Sequence, residues 1–112
     1  MLNAAPDSVF RAIADPTRRA ILDRLAAEEC SVKELTASFS MSQPAVSQHL
    51  RELRSARLVA SRRVHRENRY RLTAAPLGRV ITWLDGYRRL VDPAGHHWAL
   101  ADRAIGSARE RK

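Results

Sequence analysis

The chain is poor in several things at once. One cysteine, Cys30, in 112 residues excludes an internal disulfide framework and a thiolate cluster of zinc-finger spacing. No apolar run is long enough to span a bilayer, and no signal-peptide pattern opens the chain, so the expected location is the cytoplasm, with no membrane partner. Lysine is confined to Lys33 and Lys112, so the net charge of +8 comes almost wholly from arginine. That excludes the Lys-rich amphipathic segment of a membrane-surface binder and favours bidentate recognition of phosphate and guanine. Cys30 and His49 could pair as nucleophile and base, but no Gly-rich phosphate loop, paired carboxylates or nucleophile elbow accompanies them, and the chain does not read as an enzyme. Its length fits one domain over residues 1–112, with a core over 8–92 and a C-terminal extension over 93–112.

What is present is organised around Ser31 to Val59, SVKELTASFSMSQPAVSQHLRELRSARLV. Val32, Leu35 and Phe39 fall at helical spacing, and Ser31 with Glu34 makes a capping box, so a helix starts near Val32. A second start follows at Ser42, whose hydroxyl can accept from the N–H of Ala45, with Pro44 in the first turn, where its missing N–H costs least. Val46, Leu50 and Leu53 then form one apolar stripe. Only Ser40 and Met41 separate the two patterns, which predicts a steep crossing and a helix-turn-helix. The stripe leaves Pro44, Ser47, Gln48, Arg51 and Ser55 outside, with Gln43 exposed in the first turn. Short serines let a helix approach base edges, where Gln can bond adenine and Arg guanine bidentately.

Upstream, Asp7 can cap a first helix carrying Val9, Phe10 and Ile13, which ends at Asp15-Pro16. Asp15 caps the next, with Pro16 at its first position and Ile21, Leu22 and Leu25 on its buried side. Arg18 and Arg19 lie in its first turn, where cations oppose the helix dipole; an external phosphate or a salt bridge to an acidic neighbour would account for them. Downstream the period changes. Leu58 to Val64 and Asn68 to Leu72 read as a β-hairpin densely set with arginine: Arg57, Arg62, Arg63, Arg66, Arg69 and Arg71, joined by His65 and Asn68. Beside a helix-turn-helix this reads as a wing lying along the phosphate backbone or reaching into the minor groove; the alternative is an edge hairpin protected by charge. Leu77, Val80, Ile81, Leu84, Tyr87, Leu90 and Val91 then give a long apolar face on a helix opening near Pro76, more than so small a core needs, and a symmetric dimer would cover it. Trp83 and Trp98 read as packing or interface residues. Asp92-Pro93-Ala94-Gly95 stops this helix, and His97 to Ala108 reads as a weaker one.

With these residues laid out, the chain resembles the ArsR family of bacterial winged-helix repressors over roughly Ser8 to Tyr87. The resemblance is carried by Asp15-Pro16-Thr17-Arg18, by Ser42-Gln43-Pro44-Ala45-Val46-Ser47-Gln48-His49-Leu50 with Leu53, by Leu58-Val59, and by Tyr70-Arg71-Leu72. It implies a mainly α winged helix-turn-helix fold with a small β-hairpin, and a homodimer held by its first and last helices. It also implies binding to an inverted repeat in double-stranded DNA and repression, often of its own operon. Metal-sensing members carry Glu-Leu-Cys-Val-Cys-Asp-Leu where this chain has Glu29-Cys30-Ser31-Val32-Lys33-Glu34-Leu35. Ser31 and Lys33 occupy the thiolate positions, Cys30 is one residue out of register, and a single thiolate makes a poor soft-metal site. From Leu77 to Val91 there is no His to serve the family's other metal site; His96 and His97 come past the expected break, and adjacent residues on a helix would point in different directions. No metal and no cofactor are therefore expected. At the wing tip Val64-His65-Arg66 stands where the family often has Gly, so a wider tip is expected.

The expected DNA-contacting set is Arg18, Ser42, Gln43, Pro44, Ser47, Gln48, His49, Arg51, Arg62, Arg63, His65, Arg66 and Asn68. The expected dimer set is Phe10, Ile13, Leu77, Val80, Ile81, Leu84, Tyr87, Leu90 and Val91. Two other functions fit the residues: a regulator switched by oxidation of Cys30, which requires a nearby second thiol, and a winged-helix module that binds protein. Salt discriminates the last, since roughly 6–10 phosphate contacts lose about 10³–10⁵ in affinity between 50 and 200 mM salt.

Overall fold

The computed structural model describes residues 4–91, with side chains from residue 8 onward. The chain forms two compact units that divide between Val80 and Ile81.

In the first unit, helix α1 (Ala4–Ile13) and helix α2 (Pro16–Ala27) are joined through Asp15, whose carboxylate accepts from the N–H of Arg18 as the N-cap of α2. The start expected at Asp7 lies inside α1, which begins three residues earlier. Strand β1 (Cys30–Ser31) leads into helix α3 (Val32–Ser38), and both halves of the Ser31–Glu34 capping box are formed. Phe39 leaves the helix and belongs to the turn, its N–H donating to the carbonyl of Thr36. Helix α4 (Gln43–Ser55) starts at Ser42, whose hydroxyl accepts from Ala45. Strands β2 (Val59–Val64) and β3 (Glu67–Leu72) form the hairpin.

Burial follows the apolar stripes. Ile21, Leu35, Val46, Leu53 and Leu58 are wholly inaccessible, and Val9, Leu25, Cys30, Leu50, Val59 and Tyr70 complete the centre. Phe39, Met41, Leu72, Leu77 and Val80 pack partly against it. The three helices α1, α2 and α4 meet over this core, so the orientation of α4 is set by side chains that leave its opposite face free.

The sheet has three strands in the order β1-β3-β2, all antiparallel. Two residues are too few to show an alternating pattern, so β1 is not legible in the sequence; it pairs Cys30 with Tyr70 and Ser31 with Arg69. The wing tip is also tighter than expected. Val64 pairs with Glu67, leaving only His65 and Arg66 in the loop, and His65 takes the left-handed conformation, φ 58°. Histidine is among the residues that tolerate this region better than most, so glycine is not required.

Arg57, φ 64°, is the other residue in that region, and it ends α4. The N–H of Leu58 donates to Leu53 O at 2.9 Å and that of Arg57 to Arg54 O at 2.9 Å, a Schellman motif in which Leu58 and Leu53, both buried, make the accompanying apolar contact. Glycine is the usual occupant of that left-handed position because it has no Cβ to clash. Arg57→Gly is therefore expected to stabilise the domain by about 0.5–1 kcal/mol, the relief of left-handed strain less glycine's extra chain entropy, read as a higher urea midpoint at unchanged slope.

After a 3-10 turn (Ala75–Leu77), helix α5 (Gly78–Asp85) gives way at Gly86 and Tyr87 to the short helix α6 (Arg88–Val91). The single long helix expected from the apolar spacing is thus interrupted. The N–H groups of Gly86 and Tyr87 bond three residues back, to Trp83 O and Leu84 O, and glycine inside a helix costs roughly 1 kcal/mol relative to alanine. Ile81, Tyr87, Leu90 and Val91 are exposed, and Trp83 meets Tyr87 edge to face at 5.3 Å between ring centroids. The expected helix at His97 to Ala108 lies outside the described residues, as do His96 and Trp98. No described helix is long and apolar enough to cross a membrane.

Candidate nucleic-acid interface

With Val46, Leu50 and Leu53 buried, α4 presents Gln43, Pro44, Gln48 and Arg51 to solvent and Ser47 half-exposed. Arg51 does not wave freely. Its Nη2 donates to Gln48 Oε1 at 2.6 Å, and Gln48 Nε2 donates to Glu52 Oε2 at 3.5 Å. This row of three side chains, spaced three and four residues apart, is held along the exposed face before any ligand arrives. Glu52 was not among the residues singled out in the sequence; only its i+4 spacing from Gln48 gives it away.

The wing arginines fall into two groups. Arg62 is bound bidentately by Glu29, Nε and Nη2 donating at 3.2 and 3.1 Å. Arg69, its partner across the β2–β3 ladder, is the hub of a network: it donates to Glu34 and Glu67 at 3.1 Å each, lies 3.4 Å from Glu29 Oε1, and donates to the carbonyl of Glu29 at 3.2 Å. These pairs tie the base of the wing to β1 and to the capping box of α3. By contrast, the side chains of Arg63, His65, Arg66 and Asn68 make no hydrogen bond or ion pair among the described residues. Arg63 and Asn68 are cross-strand partners, while His65 and Arg66 form the tip. A trough of about 830 Å³ opens between the tip and the start of α4, with Lys33, Gln43, His65, Arg66 and Asn68 on its walls.

Hydrogen bonds from Arg62 hold the Glu29 carboxyl below its ordinary value of 4.5, and the Ser31 N–H, followed by Arg69, does the same for Glu34. A carboxylate whose pKa is depressed by folding adds stability above its unfolded value and loses it as pH falls through the folded one. The domain is therefore expected to lose thermal stability as pH drops below about 4.5, and Glu29→Gln to flatten part of that fall. The same variant releases Arg62, so its DNA affinity at neutral pH is expected to rise at low salt, with a steeper salt dependence.

Behind α4, Arg18 faces inward. Its Nε donates to Ala12 O at 2.8 Å and its Nη2 to Arg11 O at 3.1 Å, capping α1, while its Nη1 lies 3.3 Å from His49 Nδ1. Asp15 Oδ2 is 4.0 Å from the same ring nitrogen. The Arg18 N–H, first among its contacts, holds the Asp15 carboxyl below its ordinary range against a partial burial that raises it. The guanidinium is thus already engaged with the protein, which accounts for a cation in the first turn of α2 without an outside anion. Arg19 similarly donates to Ile13 O at 2.8 Å.

Cys30 and His49, the one conceivable nucleophile and base, have separate partners: the Cys30 thiol lies 3.5 Å from Glu28 O. Cys30 is inaccessible, and burial pushes its thiol pKa up, the opposite of what a reactive thiolate needs. Ser31 Oγ caps α3, and among the described residues no three His, Cys, Asp or Glu side chains are placed to hold a metal ion.

A capped, half-buried helix with a polar outer face, set beside a basic two-stranded hairpin, defines a winged helix-turn-helix regulator that binds DNA. The profile of bacterial regulatory proteins of the arsR family matches residues 15–61. The chain is 41% identical over 99 residues to the HTH-type transcriptional regulator Rv2034 of Mycobacterium tuberculosis, covering 81% of this chain and 92% of that protein. It is 35% identical over 78 residues to the transcriptional repressor SdpR of Bacillus subtilis, 70% and 87% of the two chains. Among solved structures, the homodimeric winged helix-turn-helix DNA-binding domain Mb0332 from Mycobacterium bovis superposes with a TM-score of 0.64 at 26% identity, covering 84% of this chain and 88% of that one. The chain belongs to the ArsR family.

Proposed function

We propose that the protein acts as a homodimeric repressor on an inverted-repeat operator, without a metal effector, and that it regulates its own transcription unit. In this reading two copies of α4 enter successive major grooves about 34 Å apart. Gln43, Ser47, Gln48 and Arg51 read bases, Ser42, Pro44 and His49 approach the backbone, and Arg62, Arg63, His65, Arg66 and Asn68 hold the flanking strands. The observation that carries it is the division of labour in the first unit: the apolar side of α4 is wholly consumed by the core, while its outer face lies in solvent with Gln48 and Arg51 held in a row and Arg63 and Arg66 of the wing make no hydrogen bond or ion pair among the described residues. Dimerisation is supported by the exposed apolar residues Ile81, Tyr87, Leu90 and Val91 and by the homodimeric state of the Mycobacterium bovis domain. Phe10, Ile13, Leu77, Val80 and Leu84 complete the proposed contact. Leu77, Val80 and Ile13 also contribute to their own core.

The test is a binding titration of the purified protein against duplex DNA from upstream of its own gene and against a scrambled duplex. It is run from 50 to 200 mM salt, with and without divalent metals and oxidant. Tight, salt-steep binding to the first duplex alone, by a dimer and indifferent to metal, is the expected result. Equal binding to both duplexes, or a strictly monomeric protein, would overturn it.

A further inference from the structure

The groups at the back of α4 carry information about its front. Arginine has five N–H donors and no acceptor, so a hydrogen bond between Arg18 Nη1 and His49 Nδ1, 3.3 Å apart, requires Nδ1 to be the acceptor. The ring proton then resides on Nε2. Asp15 does not compete for this choice: at 4.0 Å from Nδ1 it is beyond hydrogen-bond reach, and its carboxylate is engaged by the Arg18 N–H at 3.0 Å. The His49 side chain is 19% exposed and Nε2 has no protein partner among the described residues. One turn of geometry places His49 beside Ala45 and Glu52, at the flank of the face that carries Gln48 and Arg51.

We propose that Arg18 is a positioning residue for DNA binding: it fixes His49 as the Nε2–H tautomer, aims that N–H at a backbone phosphate flanking the major groove, and locks the ring to the C-terminal carbonyls of α1. The guanidinium fork suits the task because three of its nitrogens serve three acceptors from two helices at once, Ala12 O, Arg11 O and His49 Nδ1. A lysine, with a single nitrogen, cannot reproduce that arrangement. The inference rests on the proposal that α4 faces DNA, but its first half concerns the protein alone.

Two measurements test it. In the free protein, long-range proton–nitrogen correlation spectra of the His49 ring at neutral pH should show the Nε2–H tautomer, and Arg18→Ala should give a mixture of the two. In operator titrations, Arg18→Ala and Arg18→Lys should each raise Kd roughly a hundredfold, the worth of one charge-assisted hydrogen bond in each of the two subunits, with the salt slope unchanged. His49→Phe should match them, Arg18→Lys combined with His49→Phe should be no worse than either alone, and His49→Gln, whose amide N–H reaches the Nε2 position, should bind nearly as the wild type. Should Arg18→Ala fail to fold, Arg18→Lys carries both readouts. The proposal is overturned by an Nδ1–H ring in the wild type, by a tautomer indifferent to Arg18, or by wild-type binding of Arg18→Lys. A salt slope reduced by about one per subunit in Arg18→Ala would make Arg18 a direct phosphate ligand and overturn it too. A wild-type protein that fails to distinguish operator from scrambled duplex removes the DNA half and the repressor reading together, whereas a wrong tautomer removes this inference alone.

Discussion

Arg63→Ala combined with Arg66→Ala is expected to flatten the salt dependence of DNA binding by about four in log–log slope, two contacts in each copy of a dimer at about 0.9 each. Over a fourfold range, from about 50 to 200 mM salt, that shrinks the loss of affinity by roughly a hundredfold. The variant should bind weakly at low salt and lose only about 10–10³ in affinity thereafter. The argument depends on what the two side chains do in the free protein. Arg62 and Arg69 are committed to Glu29, Glu34 and Glu67, so a phosphate reaching them must displace a carboxylate and gains less. Arg63 and Arg66 have no such partner among the described residues, and each phosphate they meet releases a counterion outright. The loss should be the same for operator and scrambled duplex, since phosphate contacts carry no sequence information. Arg51→Ala should instead narrow the gap between the two. Equal slopes in wild type and double variant would remove the wing tip from the interface.

Leu53→Ala is expected to cost about 3–5 kcal/mol of folding stability, the upper part of the range for burying a cavity in place of a leucine. Leu53 is wholly inaccessible and has two duties: its side chain completes the stripe that seats α4, and its carbonyl accepts the Leu58 N–H that turns the chain into the wing. A chain of this length has roughly 6–15 kcal/mol in total, so the variant should melt more than 10 °C lower and its urea midpoint should fall at unchanged slope. Leu53→Met conserves volume and should cost under about 1.5 kcal/mol. A loss as small for alanine as for methionine would mean that α4 is not held by this stripe.

The starts of α2, α3 and α4 were legible because capping is local chemistry, whereas α1 begins ahead of the cap expected at Asp7. Asp15 with Pro16, Ser31 with Glu34, and Ser42 with Pro44 each declare themselves within four residues, and each cap forms as expected. The stripe Val46, Leu50 and Leu53 and the two arms of the hairpin were legible for the same reason, since their periods repeat over a short window. Long-range pairing left no such trace. Strand β1 is two residues long and exists only because β3 offers it an edge, and Arg69 looks like any other wing arginine until folding brings three glutamates around it. Arg18 shows the same limit in reverse: an unfavourable cation in a first turn suggests an outside anion or an acidic neighbour, whereas in the folded chain its partners are two carbonyls of the preceding helix and the His49 ring. The division between paired and unpaired arginines is therefore a property of the tertiary structure, and the five arginines of one hairpin could not be sorted by composition.

The placement of the lone sulfur has a practical corollary. Cys30 lies at 0% exposure, in the strand that closes the sheet against the core, so a small alkylating reagent can reach it only when the domain opens. Its rate of modification, compared with that of an unfolded chain, reports the equilibrium constant for opening whenever reclosing outruns the reagent. The protein thus contains its own stopwatch, readable by mass spectrometry without denaturant, and a tightly bound operator duplex should slow it in proportion to its occupancy.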